Sequence, residues 1–418
     1  YHARFDAPLQ SDIESVARNV SSWVRVPQTP DEVAPAAAEA VAAAYGPPGN
    51  VVTLVLPADT AWLDARAAAP PVPRRAAAEV EASTLAGVAK VLRSGEPAAL
   101  FVGGAAVRDE RGLVAAARVA SSTGAKLLCE TFPARLARGA GLPAVERLGY
   151  LSEFAEMQLA GLHHLVVVDT TAPVSFFAYP GKPSDLVPEG CEVHVLAAPG
   201  HDAQGALEAL ADLLGAAADE PPRVPALRPD RPTGALTGDT VAKAVGALLP
   251  DGAIVVDEAN TQGLWIAGAT AGAPRHDWLC LTGGAIGFGL PAATGAAVAD
   301  ASRKVVCLEA DGSAMYTIQA LWTQAREGLD VTTVVLDNRS YAILNLELDR
   351  VGAEPPGPRA KAMLELAPPD LDFVSIAKGL GVPATRATTA DEFVTQFEAA
   401  LRAEGPALVQ AVLPTGLG

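Results

Sequence analysis

The sequence contains few cysteines, few aromatic residues and no long apolar run. Its four cysteines lie far apart among 418 residues, which excludes a disulfide framework and a Cys-x-x-Cys motif. Cys129 and Cys307 fall in strand-like runs, where we expect buried side chains of a cytoplasmic protein. No stretch approaches the roughly 18 continuous apolar residues of a transmembrane helix, so a membrane partner is not expected.

Positively charged residues are also few, and the histidines form no motif. Only 31 Lys and Arg residues oppose 48 Asp and Glu residues, so the formal net charge is −17. This acidic balance argues against nucleic acid and anionic membranes as partners. The six histidines show no His-x-x-x-His spacing. His163 and His164 lead into a strand-like run and are predicted to be structural, and no histidine is assigned to catalysis.

Two proline-rich segments divide the chain. Its length and its 50% content of hydrophobic residues predict two or three domains of α/β type. We place the domains at 1–65, 79–215 and 233–418, with linkers at 66–78 and 216–232. Strand-like and helical runs alternate in the middle segment, which is typical of parallel-sheet layers.

The last domain contains a strand–helix–strand unit with a polar side chain after each strand. A strand-like run at 304–308 precedes apolar residues at helical spacing over 314–326, and a second strand-like run follows at 331–336. Asp311 and Asn338 come after the two runs. In a right-handed crossover the strands are parallel, so both side chains are expected at one edge of the sheet.

These residues offer the oxygen ligands that bind a magnesium ion together with a phosphate group. Asp311 supplies a carboxylate and Asn338 an amide oxygen, and a backbone carbonyl just beyond Asn338 adds a third oxygen. Gly312 and Ser313 lie at the predicted helix start, where free N–H groups favour phosphate. Each residue alone also fits an ordinary surface turn or strand end. The combination of Asp311 and Asn338 within one strand–helix–strand unit is a far more specific signal for a metal site.

Two further segments have a composition that suits ligand binding. The polar turn 257–263 follows a predicted strand, at the kind of sheet edge where open α/β sheets bind ligands. Segment 282–291 contains four glycines, which let the backbone approach a ligand closely. From the residues alone, phosphate cradling is the first interpretation of this segment.

The strand–helix–strand unit resembles the cofactor motif of thiamine diphosphate enzymes, which runs from Gly-Asp-Gly to Asn-Asn. Here the motif reads Ala310-Asp311-Gly312-Ser313 and then Asp337-Asn338, so Ala310 and Asp337 replace its first Gly and first Asn. The sequence around Asp311 is most similar to that of acetolactate synthase large subunits and benzoylformate decarboxylases. The implied fold is α/β, with three-layer parallel-sheet domains of the thiamine diphosphate-binding fold and a Rossmann-like middle domain.

The resemblance implies roles for particular residues. The metal ligands would be Asp311, Asn338 and the Ser340 carbonyl, which would bind Mg²⁺. Ile286 would be a wedge that bends thiamine diphosphate. The Gly284 carbonyl would accept a hydrogen bond from the aminopyrimidine of that cofactor. The implied cofactor and substrate contacts are Asn260, Thr261, Gly312, Ser313 and Tyr341 for the diphosphate, and Ile343 and Leu344 for the substrate pocket. For Thr261 a capped helix start is an equal alternative.

The resemblance also implies partners. Residues 1–65 would be the C-terminal remnant of a pyrimidine-binding domain, and 233–418 the pyrophosphate-binding domain. The activating Glu of the family matches no residue here, and its segment would precede Tyr1. The active site would then lie at a subunit interface in a homodimer or homotetramer. The middle domain carries FAD in the synthases and none in the decarboxylases, so FAD is left open and unsupported. A lid-like loop is expected at 352–358.

The implied function is that of a cytoplasmic thiamine diphosphate- and Mg²⁺-dependent enzyme acting on a 2-oxoacid. Acetolactate synthase-like decarboxylation and carboligation of a pyruvate-type substrate is the first reading. A benzoylformate-type decarboxylase or lyase is the alternative within enzymes. A third alternative is a cofactor-binding fragment or non-catalytic regulator that lacks the activating Glu.

Overall fold

The chain folds as alternating strands and helices around parallel sheets, which confirms the α/β prediction. A computed structural model describes residues 2–352 and 356–416. Its strands are β1 (Trp23–Arg25), β2 (Val52–Leu54), β3 (Ala98–Val102), β4 (Lys126–Cys129), β5 (Leu136–Arg138), β6 (Glu146–Arg147), β7 (His164–Val168), β8 (Glu192–Ala197), β9 (Ile254–Glu258), β10 (His276–Cys280), β11 (Val305–Ala310), β12 (Val331–Asp337), β13 (Ala384–Ala387) and β14 (Ala407–Val412).

The helices lie mostly between successive strands. They are α1 (Ile13–Arg18), α2 (Pro30–Tyr45), α3 (Ala58–Trp62), α4 (Ala82–Leu92), α5 (Glu110–Thr123), α6 (Ser152–Leu159), α7 (Ala203–Leu214), α8 (Gly238–Leu248), α9 (Ile266–Ala269), α10 (Gly289–Ala299), α11 (Asp311–Thr317), α12 (Ala320–Glu327), α13 (Ala342–Arg350), α14 (Pro358–Met363), α15 (Phe373–Gly379) and α16 (Ala390–Arg402). Within the described ranges, no helix is both long and apolar enough to cross a bilayer.

The strands form three sheets. A parallel pair, β1 and β2, packs with α2 near the start of the chain. A five-stranded parallel sheet has the order β6-β4-β3-β7-β8. A seven-stranded sheet has the order β13-β14-β12-β11-β9-β10-β5, and β5 alone in it is antiparallel to its neighbour.

The two larger sheets share one apolar core. β5 belongs to the segment between β4 and β6 of the five-stranded sheet, yet it pairs with β10 of the other sheet. Leu136 of β5 is buried in the same core cluster as Leu100 of β3 and Val255 of β9. The sequence carries no signal for this crossing, because a three-residue strand has too short a pattern to show its partner.

The centre of the seven-stranded sheet is buried on both faces. Val306 and Val334 pack on one face in a core that includes α8 and α16, and Cys307 and Val335 pack on the other face against α10 and α15. All seven residues of β12 are buried. Strands covered by helices on both sides are continuous apolar runs, which is why the sequence located β11 and β12 well.

The helix predicted to start at Gly312 and Ser313 and to continue through 314–326 is not a single helix. It begins one residue earlier, at Asp311, and it is broken into α11 and α12. At the break, the N–H of Leu321 bonds to the carbonyl of Ile318 at 3.1 Å, a three-residue step that interrupts the helical ladder. Apolar spacing continues through such a step, so the pattern could not reveal it. The lid-like loop predicted at 352–358 lies partly outside the described residues, since 353–355 are not among them.

Candidate cofactor site

The carboxyl ends of β11 and β12 bring Asp311 and Asn338 to the same sheet edge. The strands are parallel neighbours, with Ala310 paired to Leu336, so the residues that follow leave the sheet together. Both side chains are buried. The carboxylate of Asp311 accepts the N–H of Gly312 at 2.8 Å and the N–H of Arg339 at 2.6 Å. Asp311 is therefore held by the turn that contains Asn338.

Asn338 is fixed by the same turn. Its Oδ1 accepts the N–H of Ser340 at 3.0 Å, and its Nδ2 donates to the Gly416 carbonyl at 3.4 Å. Arg339 has a φ of +58°, in the left-handed region that non-glycine residues rarely occupy. Such strained residues persist where the surroundings fix them, and they cluster at ligand sites. Here the strain turns the Arg339 N–H towards Asp311.

The electrostatics of this edge favour a cation. Burial, with a smaller contribution from the adjacent Asp337 carboxyl, raises the pKa of Asp311 to about 7. Asp337 accepts a bond from Nε2 of Gln410 at 2.7 Å. Each backbone N–H uses one lone pair, and a carboxylate has about four, so Asp311 keeps sites for a metal. Carboxylate and amide oxygens are the donors that Mg²⁺ prefers, so this set fits that ion.

The diphosphate residues predicted from the sequence surround one cleft. Nδ2 of Asn260 donates to Oγ of Ser313 at 2.9 Å, which links the polar turn after β9 to the first turn of α11. A Cβ atom on Gly312 would lie 2.5 Å from the ring of Tyr341, so the packing requires glycine there. The cleft is lined by Asn260, Thr261, Asp311, Gly312, Ser313, Asn338, Ser340, Tyr341 and Ile343, among others.

Two predicted residues lie apart from this cleft, on the glycine-rich segment between β10 and α10. Gly284 has a φ of +65°, and the side chain of Ile286 is 41% exposed. Leu344, predicted for the substrate pocket, is also exposed, on α13. A cavity of about 560 Å³ adjoins the cleft at Ser340 and has a mixed-charge lining that includes Arg339 and Lys361.

Glu258, at the end of β9, anchors the glycine-rich segment. Its buried carboxylate accepts the N–H of Gly287 at 2.6 Å and the N–H of Gly289. Oγ1 of Thr317 donates to the Gly287 carbonyl at 2.9 Å, so α11 holds the segment from the other side. Sequence reasoning missed Glu258. An acid that ends an apolar strand without a nearby basic residue was the available signal.

A second buried acid stands beside Glu258. Glu309, in β11, is as deeply buried, and a Cβ atom on Gly289 would lie 2.2 Å from its Oε2. Burial and the neighbouring Glu258 carboxyl raise the pKa of Glu309 well above its usual range. Glycine at 289 is therefore required for α10 to start against these carboxyls.

The comparisons with known proteins agree with this geometry. The family model "Thiamine pyrophosphate enzyme, C-terminal TPP binding domain" matches residues 261–411, which contain the cleft except for Ala259 and Asn260. The protein of Mycobacterium tuberculosis provisionally named acetolactate synthase large subunit IlvX is 56% identical over 420 residues, covering 100% of this chain and 80% of that protein.

Two further relatives point the same way. Benzoylformate decarboxylase of Pseudomonas aeruginosa is 32% identical over 276 residues, covering 60% of this chain and 49% of that enzyme. The structure of a thiamine diphosphate-dependent 4-hydroxybenzoylformate decarboxylase from Rhodococcus jostii superposes with a TM-score of 0.82 at 24% identity, covering 100% of this chain and 80% of that one. This confirms the predicted fold. The chain belongs to the thiamine diphosphate-dependent enzyme family, as its cofactor motif predicts.

Proposed function

We propose that the chain holds Mg²⁺ through Asp311, Asn338 and the Ser340 carbonyl, and through the metal anchors the diphosphate of thiamine diphosphate. The observation that carries this proposal is the pair of buried oxygen donors at neighbouring strand ends, both tied to the 338–340 turn. Asn260, Thr261, Gly312, Ser313 and Tyr341 complete the diphosphate side of the same cleft.

Thiamine diphosphate supplies a nucleophilic carbon and an electron sink for the loss of carbon dioxide from a 2-oxoacid. The protein binds and orients the cofactor and shields it from water. Gly284 would offer its carbonyl to the aminopyrimidine, and Ile286 would be the wedge that bends the cofactor. Glu258 fixes the segment that carries both by holding two of its N–H groups. Ile343 and Leu344 border the space for the substrate.

The reaction we favour is acetolactate synthase-like: decarboxylation of a pyruvate-type substrate followed by carboligation. The 56% identity to the mycobacterial relative over the whole chain supports this choice. The 32% identity to a benzoylformate decarboxylase favours the second candidate, simple decarboxylation or lyase chemistry. Incubation with pyruvate alone separates them, because a synthase yields acetolactate and a decarboxylase yields an aldehyde.

The active site is completed by a second subunit in this proposal. Large apolar side chains stand exposed in the segments around the cleft, and they include Trp265, Met315, Tyr316 and Trp322. Apolar surface of this kind marks interaction sites on soluble proteins. A homodimer or homotetramer would cover it and place the active site at the subunit interface. The third candidate, a non-catalytic regulator, would bind cofactor and turn over no 2-oxoacid.

We further propose the domain organisation 1–65, 79–215 and 233–418 and a cytoplasmic protein without FAD. Four free cysteines suit a reducing compartment. At the carboxyl edge of the five-stranded sheet, Glu130 and Asp169 lie against Gly103 and Gly104, and burial raises the pKa of both acids. Oδ2 of Asp169 already accepts the N–H of Ala105 at 2.7 Å, in the turn after β3 where a dinucleotide phosphate would sit, and this opposes phosphate binding. A visible spectrum without a flavin band is expected.

Calorimetric titration with thiamine diphosphate and Mg²⁺ tests the metal assignment. Asp311→Ala should weaken Mg²⁺-dependent binding more than about 100-fold, because loss of an outer partner of a ligand already costs about 10–100-fold. Asp251→Ala, at an exposed turn, is the matched control and should bind normally. Unchanged affinity in Asp311→Ala would defeat the assignment.

A further inference from the structure

A second set of metal-binding side chains lies in the five-stranded sheet. β7 begins at His164 and β8 begins at Glu192, and these two residues are paired in the parallel register. His194 is two residues further along β8, so its side chain leaves the same face as that of Glu192. The three side chains therefore converge at the amino ends of two neighbouring strands.

The distances within this set are close to those of a tetrahedral metal site. Nδ1 of His164 lies 3.1 Å from Nε2 of His194. Oε2 of Glu192 lies 3.8 Å from Nδ1 of His164 and 3.7 Å from Nε2 of His194. Ligand atoms about 2.0–2.1 Å from a tetrahedral Zn²⁺ are roughly 3.3 Å apart. The Glu192 side chain is 71% exposed, so a small rotation closes the remaining gap.

A carboxylate behind the set orients one ligand. Nε2 of His164 bonds to Oε2 of Glu96 at 2.8 Å, so its proton sits on the far side of the ring. This leaves the Nδ1 lone pair facing His194. A histidine ligand that donates its other N–H to a carboxylate is the usual second shell of a protein zinc site. The His164 side chain is only 11% exposed, which keeps this orientation fixed.

We propose that His164, Glu192 and His194 bind one divalent ion of the zinc class, with the fourth position open to water. Imidazole nitrogens select Zn²⁺ or Co²⁺ over Mg²⁺, which prefers oxygen donors, so this site differs in chemistry from the cofactor site. It lies at the amino ends of the strands, whereas ligands of open α/β sheets bind at the carboxyl ends. Its role is structural: the ion ties the edge strand β8 to β7.

The set is also satisfied without a metal, through hydrogen bonds between the two rings and Glu96. Metal binding must therefore be measured directly. The full chain, saturated with thiamine diphosphate and excess Mg²⁺ to block the cofactor site, is titrated with Co²⁺ and then with Zn²⁺. The visible absorption of four-coordinate Co²⁺ reports the site, and Zn²⁺ should abolish it at one equivalent per chain.

The variants identify the ligands. His194→Ala should weaken Co²⁺ binding more than about 100-fold, and Glu96→Gln about 10–100-fold, because the latter loses only an outer partner. His163→Ala is the matched control, since this exposed neighbour contributes no ligand to the set, and it should bind normally. Zn²⁺ should raise the melting temperature of the wild type and of His163→Ala, and leave that of His194→Ala unchanged. Absence of the Co²⁺ band in the wild type, or equal binding by His194→Ala, overturns the proposal.

Discussion

Single side chains at the ends of β9, β11 and β12 show what the sequence could reveal and what it could not. Asp311 and Asn338 were predictable, because each follows an apolar strand and parallel strands end at one edge. Glu258 and Glu309 were missed, because their importance depends on the backbone of a glycine-rich segment that folds over them. A residue whose partners are distant N–H groups leaves no local pattern.

His276 offers a test of burial at the residue scale. Burial lowers the pKa of its imidazole to about 4, and the Pro274 carbonyl, which accepts its Nδ1–H at 2.7 Å, opposes this only in part. Among the described residues, its Nε2 has no hydrogen-bond partner. The folded state therefore holds the neutral ring, whereas the unfolded chain takes up a proton near pH 6.5.

The sign of the effect follows from that difference. The contribution of neutral His276 is present above pH 6.5 and is lost as pH falls towards 4, at a cost of roughly 2 kcal/mol between pH 7 and pH 5. Urea unfolding of the wild type and of His276→Gln at both pH values measures it. The wild type should lose that much more stability than the variant. Parallel losses in the two proteins would contradict the account.

At the scale of elements, the glycine-rich segment 283–289 is positioned from two sides. Glu258 holds it from β9, and Thr317 of α11 holds the Gly287 carbonyl. The sequence predicted that the backbone of this segment approaches a ligand closely but not the shape of the segment, since glycine permits many conformations and the anchors are remote in sequence. The break between α11 and α12 was likewise hidden, because apolar spacing continues through it.

Glu258→Gln should loosen this segment. The amide keeps one acceptor oxygen, so one of the two N–H groups of Gly287 and Gly289 loses its partner, at about 1–3 kcal/mol. Hydrogen exchange followed by mass spectrometry should show faster exchange in peptides covering 283–289. Peptides from α5, in the other large sheet, serve as the internal control and should not change. Unaltered exchange at 283–289 would show that Glu258 does not anchor the segment.

At the scale of the molecule, the parallel sheets follow the predicted α/β plan, while contacts between distant segments do not follow from local patterns. β5 crosses to the seven-stranded sheet, and β7 and β8 bring His164 to His194 by register alone. Exposed apolar side chains around the cleft are a further property of the assembled fold. Trp322 is 51% exposed on α12.

This exposure predicts an oligomer. Light scattering should give a mass at least twice the 42.7 kDa of one chain. Trp322→Asp should shift the protein to smaller species, because a charge in an apolar interface is costly to bury. Leu227→Asp, at a leucine of the second linker that is more exposed than Trp322, is the control and should keep the wild-type mass. A monomeric wild type would contradict the proposed shared active site.

The central claim is that Asp311 and Asn338 coordinate one divalent cation. A crystal grown with thiamine diphosphate and Mn²⁺ in place of Mg²⁺ tests it through the anomalous signal of manganese. We predict one peak per chain in the cleft, within about 2.2 Å of oxygens of both side chains, close to the Mg²⁺–oxygen distance. A peak elsewhere, or diphosphate bound without a metal between these residues, would contradict the account.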